Sequence, residues 1–295
     1  MRVAILAVVA ACGRFHFGAL DDGAAADVAL GSFAMPVLAV PLMAPGVDDD
    51  PTATDDGLEL YFASERIGAA GGYADIYVST RSSRASAWSA PTNVTVLNSA
   101  DEDQSPGITA DGLTMYYTSR RPSPIGGTSS NIWVATRAAR SDAWSAPTFV
   151  AELSTTLDEF DPQPDPTHLR LVLYRQLTAT NRDIYESTRA STSDPWGTPV
   201  LLDSVVNAPG GERSPCLAAG GLELWFGSDR ASAPDVHDIY VATRPSTSEP
   251  FVSAIAVDVL DSPQDDVDPW LSSDGRVILF SSDRTGDAEI YEAQR

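Results

Sequence analysis

The hydrophobic residues of this chain recur in short alternating runs that do not follow a helical period. Five runs share β-branched or aromatic residues at alternate positions and are too short for helices: LELYFAS, LTMYYTS, LRLVLYR, LELWFGS and RVILFSS. A proline precedes each run by a constant distance, at Pro51, Pro106, Pro162, Pro215 and Pro269. Six residues after the proline is a turn residue, which is glycine in four copies and His168 in the third. The pattern predicts five copies of one β-rich unit.

A second alternating run follows in every copy and ends in an arginine: DIYVSTR, NIWVATR, DIYESTR, DIYVATR and EIYEAQR. Seven residues beyond the arginine, four copies have an aromatic residue, at Trp88, Trp144, Trp196 and Phe251. A further strand such as PTNVTVL then leads to the next copy. Four strands in a unit of about 55 residues are typical of a β-propeller blade.

The fifth copy ends at Arg295, after its third strand. Its missing strand is matched at the other end of the chain, where Phe33 and Pro36 repeat the aromatic-to-proline spacing and MPVLAVPLM supplies a strand. We therefore expect an all-β, five-bladed propeller over residues 33–295, in which the N-terminal strand closes the C-terminal blade and so protects an open sheet edge.

The first residues resemble a bacterial secretory leader. Met1-Arg2 precedes an apolar stretch, residues 3–11, that is too short to span a membrane as a helix. Val9-Ala10-Ala11-Cys12 resembles a lipobox, which predicts a lipoprotein-type signal peptide over 1–11 and lipidation of Cys12. An ordinary signal peptide or a misassigned start are the alternatives. Residues 12–32 are expected to be a flexible tether, and the protein to lie in the cell envelope, lipid-anchored or else periplasmic or secreted.

Two segments, SPGITADGLTMYYTSRR and VDPWLSSDGRVILFSSDRTGDAEIY, resemble the repeat of TolB-type propellers, also called the PD40 or WD40-like β-propeller repeat. The resemblance covers about residues 33–295 and implies the fold more than the function, because this repeat serves many roles. TolB itself carries an additional α/β domain before its propeller, for which we expect no counterpart here. The third copy departs most, with Tyr174-Arg175-Gln176 in place of Ser-Asp-Arg.

The net charge limits the classes of partner that the protein can bind. With 41 acidic and 19 basic residues the chain carries a formal charge of −22, which repels phosphate backbones and anionic lipid headgroups. Nucleic-acid binding is therefore excluded, and membrane contact is expected only through a lipid anchor. A cationic partner, a metal ion or a neutral ligand fits this surface, although the charge could also serve solubility alone.

Loop lengths indicate which face of the predicted propeller is the place for binding residues. The loops between the second and third strands vary from TGDA to PSPIGGTSS, whereas the other connections within a blade keep constant lengths. The same face receives the segment before each innermost strand. Three residues before each repeat proline is a carboxylate: Asp48, Asp103, Glu159, Glu212 and Asp266. One residue before it is a second column: Asp50, Ser105, Asp161, Ser214 and Asp268.

In an extended segment the two columns share a side, so they are candidates for an acidic collar at the mouth of the channel. The alternative is that they cap local backbone amides, as Asp and Ser do in turns. We interpret Arg66, Asp75, Arg230 and Asp238 as bridges between strands, and the recurring Trp88, Trp144 and Trp196 as packing residues. Trp270 has no match in the other copies.

The preferred hypothesis is a non-enzymatic envelope propeller that binds a protein, peptide or glycan on this acidic face. The first alternative is a glycoside hydrolase or lyase that uses an asymmetric subset of the collar carboxylates, which requires two carboxyl groups in different environments. The second is a scaffold stabilised by Ca²⁺ among the acidic segments. No other cofactor is expected, and the three histidines suggest no metal cluster. If Cys12 carries a lipid, Cys216 has no other cysteine with which to form a disulfide.

Overall fold

A computed structural model describes residues 32–39, 45–66 and 72–295. In this part of the chain the strands form five four-stranded antiparallel sheets. The innermost strand of each sheet contacts that of the next, and the fifth contacts the first, so the sheets close a ring. The predicted five-bladed, all-β propeller is confirmed.

Each blade is numbered by the order of its innermost strand in the chain. Blade 1 contains β2 (Asp48–Ala53), β3 (Glu59–Ser64), β4 (Asp75–Thr80) and β5 (Thr92–Asn93). Blade 2 contains β6 (Asp103–Ile108), β7 (Thr114–Ser119), β8 (Asn131–Thr136) and β9 (Thr148–Phe149). Blade 3 contains β10 (Asp158–Pro164), β11 (Arg170–Gln176), β12 (Arg182–Thr188) and β13 (Val200–Leu201). Blade 4 contains β14 (Glu212–Ala218), β15 (Glu223–Ser228), β16 (Asp238–Thr243) and β17 (Ser253–Ala256). Blade 5 contains β18 (Asp266–Leu271), β19 (Val277–Ser282), β20 (Glu289–Gln294) and β1 (Val37–Leu38).

The N-terminal strand closes blade 5, as predicted. Val37 pairs with Glu292 and Leu38 with Tyr291 in antiparallel register. Phe33 is buried and meets Trp225 of blade 4 edge to face, with ring centroids 6.0 Å apart. Among the described residues the strand is Val37–Leu38, and residues 40–43 of the predicted run lie outside them. The predicted signal peptide, Cys12 and the tether up to residue 31 lie outside the described residues.

Four of the five outer strands are two residues long, shorter than the sequence pattern suggested. After β5 the chain turns, and the side chain of Asn98 replaces a strand partner. Its Oδ1 accepts a hydrogen bond from Ile76 N at 2.8 Å, and its Nδ2 donates to Ile76 O at 3.0 Å. Asn207 binds Ile184 in the same way in blade 3. A side-chain amide therefore satisfies backbone groups that a longer outer strand would otherwise pair.

The arginine that closes each third strand ties three parts of its blade together. Its guanidinium lies over the aromatic ring of the third-to-fourth connection, as in Arg81 over Trp88 at 4.0 Å and Arg295 over Phe33 at 4.5 Å. Its Nε donates to the carbonyl of the turn between the first two strands, as Arg81 does to Gly57 O at 2.6 Å. In blade 3 that carbonyl belongs to His168, whose φ of 58° reproduces the left-handed conformation of the turn glycines. The recurring tryptophans are buried packing residues.

The two ends of the channel differ in their connections. We call the end with the loops between second and third strands, together with the links between blades, the loop face. The end with the first-to-second turns and third-to-fourth connections is the turn face. Backbone hydrogen bonds such as Asp103 N to Ala74 O and Asp266 N to His237 O join each link to the preceding blade's loop, which places both on the loop face. Among the described residues, no helix is long and apolar enough to cross a membrane.

Candidate functional site

The first carboxylate column is buried inside the blades. Each of its members is at most 1% exposed and forms an ion pair with an arginine of its own blade. The pairs, with their N–O distances, are Arg66–Asp48 (2.7 Å), Arg121–Asp103 (2.6 Å), Arg175–Glu159 (3.1 Å), Arg230–Glu212 (3.2 Å) and Arg284–Asp266 (2.5 Å). This column therefore holds the start of each innermost strand in place and does not form a free collar at the channel mouth.

Several of these carboxylates also cap the link that precedes them. Asp103 accepts hydrogen bonds from Ser99 N and Oγ, at 2.5 and 2.7 Å, and Asp266 accepts one from Ser262 N at 2.6 Å. The arrangement favours the alternative that these groups cap backbone amides. Arg66 and Arg230 act as the bridges expected of them, and Asp75 of β4 joins β5 by accepting a hydrogen bond from Asn93 Nδ2 at 2.8 Å. Asp238 instead accepts from Ser232 Oγ of the preceding loop.

The second column separates from the first because the backbone changes direction between them. Asp50, Ser105, Asp161, Ser214 and Asp268 all have φ between 51° and 56°, in the left-handed region. The register of each innermost strand shifts at the same place, for example between Asp49 and Thr52 in β2. A β-bulge of this kind re-aims a side chain. The expectation that the two columns lie on the same side was therefore wrong, while ligand binding by either column stays a prediction.

The second column forms a ring around the axis, which we call the axial ring. Its five residues are Asp50, Ser105, Asp161, Ser214 and Asp268, each from a different blade and all buried. Asp50 accepts from Ser105 N at 2.8 Å and from Ser105 Oγ at 3.0 Å. Asp268 accepts from Ser214 Oγ, and its Oδ2 lies 3.5 Å from the N–H of Asp50. The hydroxyls of Ser105 and Ser214 also lie close enough to Asp161 to lower its pKa, so Asp161 completes the ring.

Two charged neighbours add to the ring. A carboxylate oxygen of Asp49 lies within 4.8 Å of oxygens of Asp50 and Asp268. Arg213 approaches from blade 4, with guanidinium nitrogens 3.8 Å from Asp265 and 3.9 Å from Asp268. The Arg213 guanidinium is thus shared between the ring and Asp265, whose other oxygen contacts His237 Nδ1 at 2.8 Å.

This crowding changes the acidity of the ring. Burial raises the pKa of Asp49 well above its usual range, and the charge of Asp268 raises it further. Burial, followed by the charges of Asp49 and Asp268, has the same effect on Asp50. Burial and the charge of Asp268 raise the pKa of Asp161 to about 6, although Ser105 and Ser214 lower it in part. Asp49, Asp50 and Asp161 therefore hold protons more tightly than isolated aspartates do.

The axial ring borders a narrow cavity of about 10 Å³, roughly the space of one water molecule. Prolines at 51, 215 and 269 and the side chain of Gln163 complete its wall. Asp161 is 5% exposed, and its Oδ2 has no hydrogen-bond partner among the described residues. Trp270, the unmatched tryptophan, is also buried and lies in a second space towards the turn face, where it packs with Leu279 and Ile290.

Sequence reasoning identified the second column but missed Asp49 and Arg213. Neither position repeats from blade to blade, so a search for recurring columns does not find them. The run Asp48-Asp49-Asp50 was a signal for Asp49, since it is the one copy with three consecutive acidic residues before the repeat proline. Nothing in the local sequence indicated that Arg213 would face the axis.

Comparisons with known proteins support the fold. No family model matches the chain, and no curated protein matches it. Among solved structures, TolB from Acinetobacter baumannii is similar, with a TM-score of 0.49 and 14% identity. The match covers 86% of this chain but only 56% of the length of that TolB chain. A putative TolB from Agrobacterium tumefaciens gives a TM-score of 0.51, 17% identity and coverage of 90% of this chain and 92% of the other. A thermostable family-43 glycoside hydrolase gives 0.58, 11% identity and coverage of 88% and 91%.

TolB-type propellers and glycoside hydrolases thus both share this architecture, and at these identities the likeness concerns the fold alone.

Proposed function

We propose that this chain is a non-catalytic binding propeller of the cell envelope whose loop face engages a protein, peptide or glycan. The observation that carries the proposal is the position of the variable connections. The loops between second and third strands range from residues 177–181 in blade 3 to 120–130 in blade 2, while the first-to-second turns stay nearly constant. Variable loops on a constant scaffold are the usual place for binding residues.

The charge of the loop face supports a cationic or polar ligand. Glu65, Asp258 and Asp287 are exposed there, on the loops of blades 1 and 5 and on the link before blade 5. Such a face concentrates negative potential at the end of the channel and accelerates encounters with positively charged partners. The envelope placement rests on the leader-like sequence at residues 1–12, which remains a prediction.

The test compares two triple variants with the same change in charge. The loop-face variant carries Glu65→Gln, Asp258→Asn and Asp287→Asn, and the turn-face control carries Asp142→Asn, Asp194→Asn and Glu249→Gln, which are exposed on the opposite connections. Ligands are captured from envelope extract, identified and titrated in purified form. We expect the loop-face variant to bind about tenfold more weakly, since each exposed charge contributes roughly 0.5 kcal/mol. Equal affinities for both variants and the native protein would refute the proposal.

One observation favours a second candidate, glycoside hydrolysis. The axial ring has three aspartates and two serines, so its carboxyl groups are unequal, and Asp161 has the raised pKa of about 6 that a general acid needs. The space beside them is about 10 Å³, far smaller than a cavity that would hold a sugar ring. Binding therefore remains the preferred function.

A panel of polysaccharides, read by release of reducing sugar, separates the two candidates. The binding proposal expects no turnover of any substrate. Turnover that disappears in Asp161→Asn but persists in Asp142→Asn would replace binding by hydrolysis.

A further inference from the structure

In blades 1 and 3, one asparagine fastens the link that follows the outer strand. Asn98 and Asn207 lie five residues before the first-column carboxylate that comes next in the chain. Each amide accepts a hydrogen bond from the backbone N–H of an isoleucine in the third strand, Ile76 or Ile184, at 2.8 and 2.7 Å. It also donates to the carbonyl of that same isoleucine at 3.0 Å in both blades. Two hydrogen bonds from one side chain therefore hold each link to its blade.

Blades 2 and 4 have other groups at this position. Ser154 is the counterpart in blade 2, and its Oγ accepts from Ile132 N at 3.1 Å. In blade 4 the residue is Asp261, whose carboxyl group accepts a hydrogen bond from the N–H of Ile239. The neighbouring backbone keeps the geometry of the other blades, since Val257 N donates to Ile239 O at 2.9 Å. One oxygen of Asp261 thus reproduces the accepting half of the asparagine contact.

The other oxygen of Asp261 has the wrong chemistry for its place. Oδ1 is buried and has no hydrogen-bond partner among the residues that the structure describes. Because a carboxyl group has the shape of an amide, this oxygen corresponds to the nitrogen with which Asn98 donates to a carbonyl. An ionised carboxylate can only accept, whereas a protonated one has an O–H to donate. A proton on Asp261 would therefore supply the missing hydrogen bond, to the carbonyl of Ile239.

The charges around Asp261 also favour its protonated form. Burial, followed by the charges of Asp238 and Asp266, raises the pKa of Asp261 to about 6 from an ordinary value of 3.8. Two arginines lie beside these groups, but both have carboxylate partners of their own. Arg284 pairs with Asp266 at 2.5 Å, and Arg230 pairs with Glu212 at 3.2 Å. The titratable groups that act on Asp261 or feel its charge are Asp238 and Tyr240 of β16, Asp266 of β18, and Asp258 of the same link.

We propose that Asp261 is a pH-sensitive switch on the link between blades 4 and 5. With a proton on its carboxyl group, Asp261 holds Ile239 by two hydrogen bonds, as the asparagines do in blades 1 and 3. Loss of the proton leaves one hydrogen bond and a buried charge beside a carbonyl, which loosens the link. The link, residues 257–265, lies on the loop face and carries the exposed Asp258. Acid conditions therefore tighten this part of the loop face.

The inference goes beyond the proposed function, because the ligand of the switch is a proton and its operation requires no partner on the loops. The folded chain keeps this proton up to about pH 6, whereas an unfolded chain loses it near the ordinary value of 3.8. The stabilisation is therefore complete below about pH 3.8 and is lost as the pH rises through 6.

The first experiment follows thermal unfolding of the full chain from about pH 4 to about pH 8, for the native protein and for Asp261→Asn. The asparagine donates its hydrogen bond at every pH, as Asn98 does. We expect nearly equal Tm values at the acid end and a Tm roughly 3 °C higher for the variant at the alkaline end. Comparing the two profiles separates Asp261 from Glu289, which both proteins retain. Identical profiles, or a constant offset between them, would overturn the proposal.

The reverse variant and a control use the repeat itself. Asn98→Asp places the same carboxyl group in blade 1, so its Tm should be near the native value in acid and fall below it as the pH rises. Asp142→Asn removes one exposed acid on the turn face and should leave the native pH profile unchanged. A loss in Asn98→Asp that does not depend on pH, or a profile altered as much by Asp142→Asn as by Asp261→Asn, would overturn the switch.

Hydrogen exchange read by mass spectrometry locates the change. Exchange of peptides that cover residues 257–265 is measured on both sides of pH 6 and corrected for the intrinsic pH dependence of amide exchange. We expect the native link to lose protection above pH 6 while the Asp261→Asn link keeps it. Loss of protection in both proteins, or in neither, would show that the proton on Asp261 does not control the link.

Discussion

At the scale of single residues, one backbone conformation is kept around the axis while the side chain is free to change between Asp and Ser. The left-handed conformation costs roughly 1–2 kcal/mol for residues other than glycine. Glycine would avoid that cost, yet none of the five positions has it. The side chain is retained because it bridges to the neighbouring blade, as Ser105 does to Asp50.

A second residue-scale feature is the buried acid at the start of the third strand of blade 5. Glu289 occupies the position that Asp75, Asn131 and Asp238 hold in other blades. Burial, followed by the charges of Asp48 and Asp287, raises the pKa of Glu289 to about 7 from an ordinary value of 4.5. Between these values the native protein holds a proton that the unfolded chain has lost. The contribution of Glu289 to stability is therefore complete below about pH 4.5 and is lost as the pH rises through 7.

We expect Glu289→Gln to stabilise the protein at pH 8 and to leave it unchanged at pH 4.5, because the neutral amide removes the buried charge as Asn131 does in blade 2. A gain of about 1 kcal/mol corresponds to roughly 2 °C in Tm. Thermal unfolding at both pH values measures it, with the exposed Glu249→Gln as control. The same shift at both pH values would contradict this account of the charge.

At the scale of elements, the turn between the first two strands shows how one conformation tolerates two residue types. Gly112, with φ of 74°, fills the turn of blade 2, and His168, with φ of 58°, fills that of blade 3. Both carbonyls accept a hydrogen bond from the arginine that closes the third strand, at 2.7 and 2.8 Å. Since the hydrogen bond uses the backbone, the side chain of His168 contributes nothing to it.

Two substitutions in these turns should have opposite signs. His168→Gly removes the left-handed strain and should raise stability by up to about 1 kcal/mol, whereas Gly112→Ala should lower it by roughly 1–2 kcal/mol. A Cβ at Gly112 would also lie 2.9 Å from Thr54 Cγ2. Urea unfolding of the two variants beside the native protein measures both. A loss of stability in His168→Gly would mean that the imidazole has a role in the turn.

The repeat made the strands and turns predictable from the sequence, but the features that depart from the repeat could not be predicted. Recurring prolines, turn residues and arginines determined the number of blades and the closing strand. The bulge before each proline was missed because a residue preceding proline is normally extended, and five exceptions cannot be inferred from that rule. Asp49 and Arg213 were missed for a different reason: each occurs in one blade, so only the three-dimensional arrangement brings them together.

At the scale of the whole molecule, the ring depends on a two-residue strand. β1 pairs with β20 through Val37 and Leu38, and Phe33 adds its contacts with Trp225 and Arg295. Phe251 has the same position in blade 4, under Arg244 at 4.5 Å, but within a continuous stretch of chain. The two phenylalanines therefore offer a matched comparison of a closing contact and an ordinary one.

Phe33→Ala and Phe251→Ala should both destabilise the protein by about 3–5 kcal/mol, the usual cost of truncating a buried phenylalanine. Only Phe33→Ala should also cause concentration-dependent association, because loss of β1 exposes the edge of β20. Light scattering during size-exclusion chromatography detects this. Association of both variants to the same extent would show that closure has no special weakness.

The described chain enters the propeller at one particular end of the channel. Phe33 lies under Arg295, beside the turn that contains Gly275, so the backbone reaches the propeller on the turn face. The described start of the chain therefore lies at the opposite end of the channel from the variable loops, and the two ends of the propeller are divided between closure of the ring and variation of the loops.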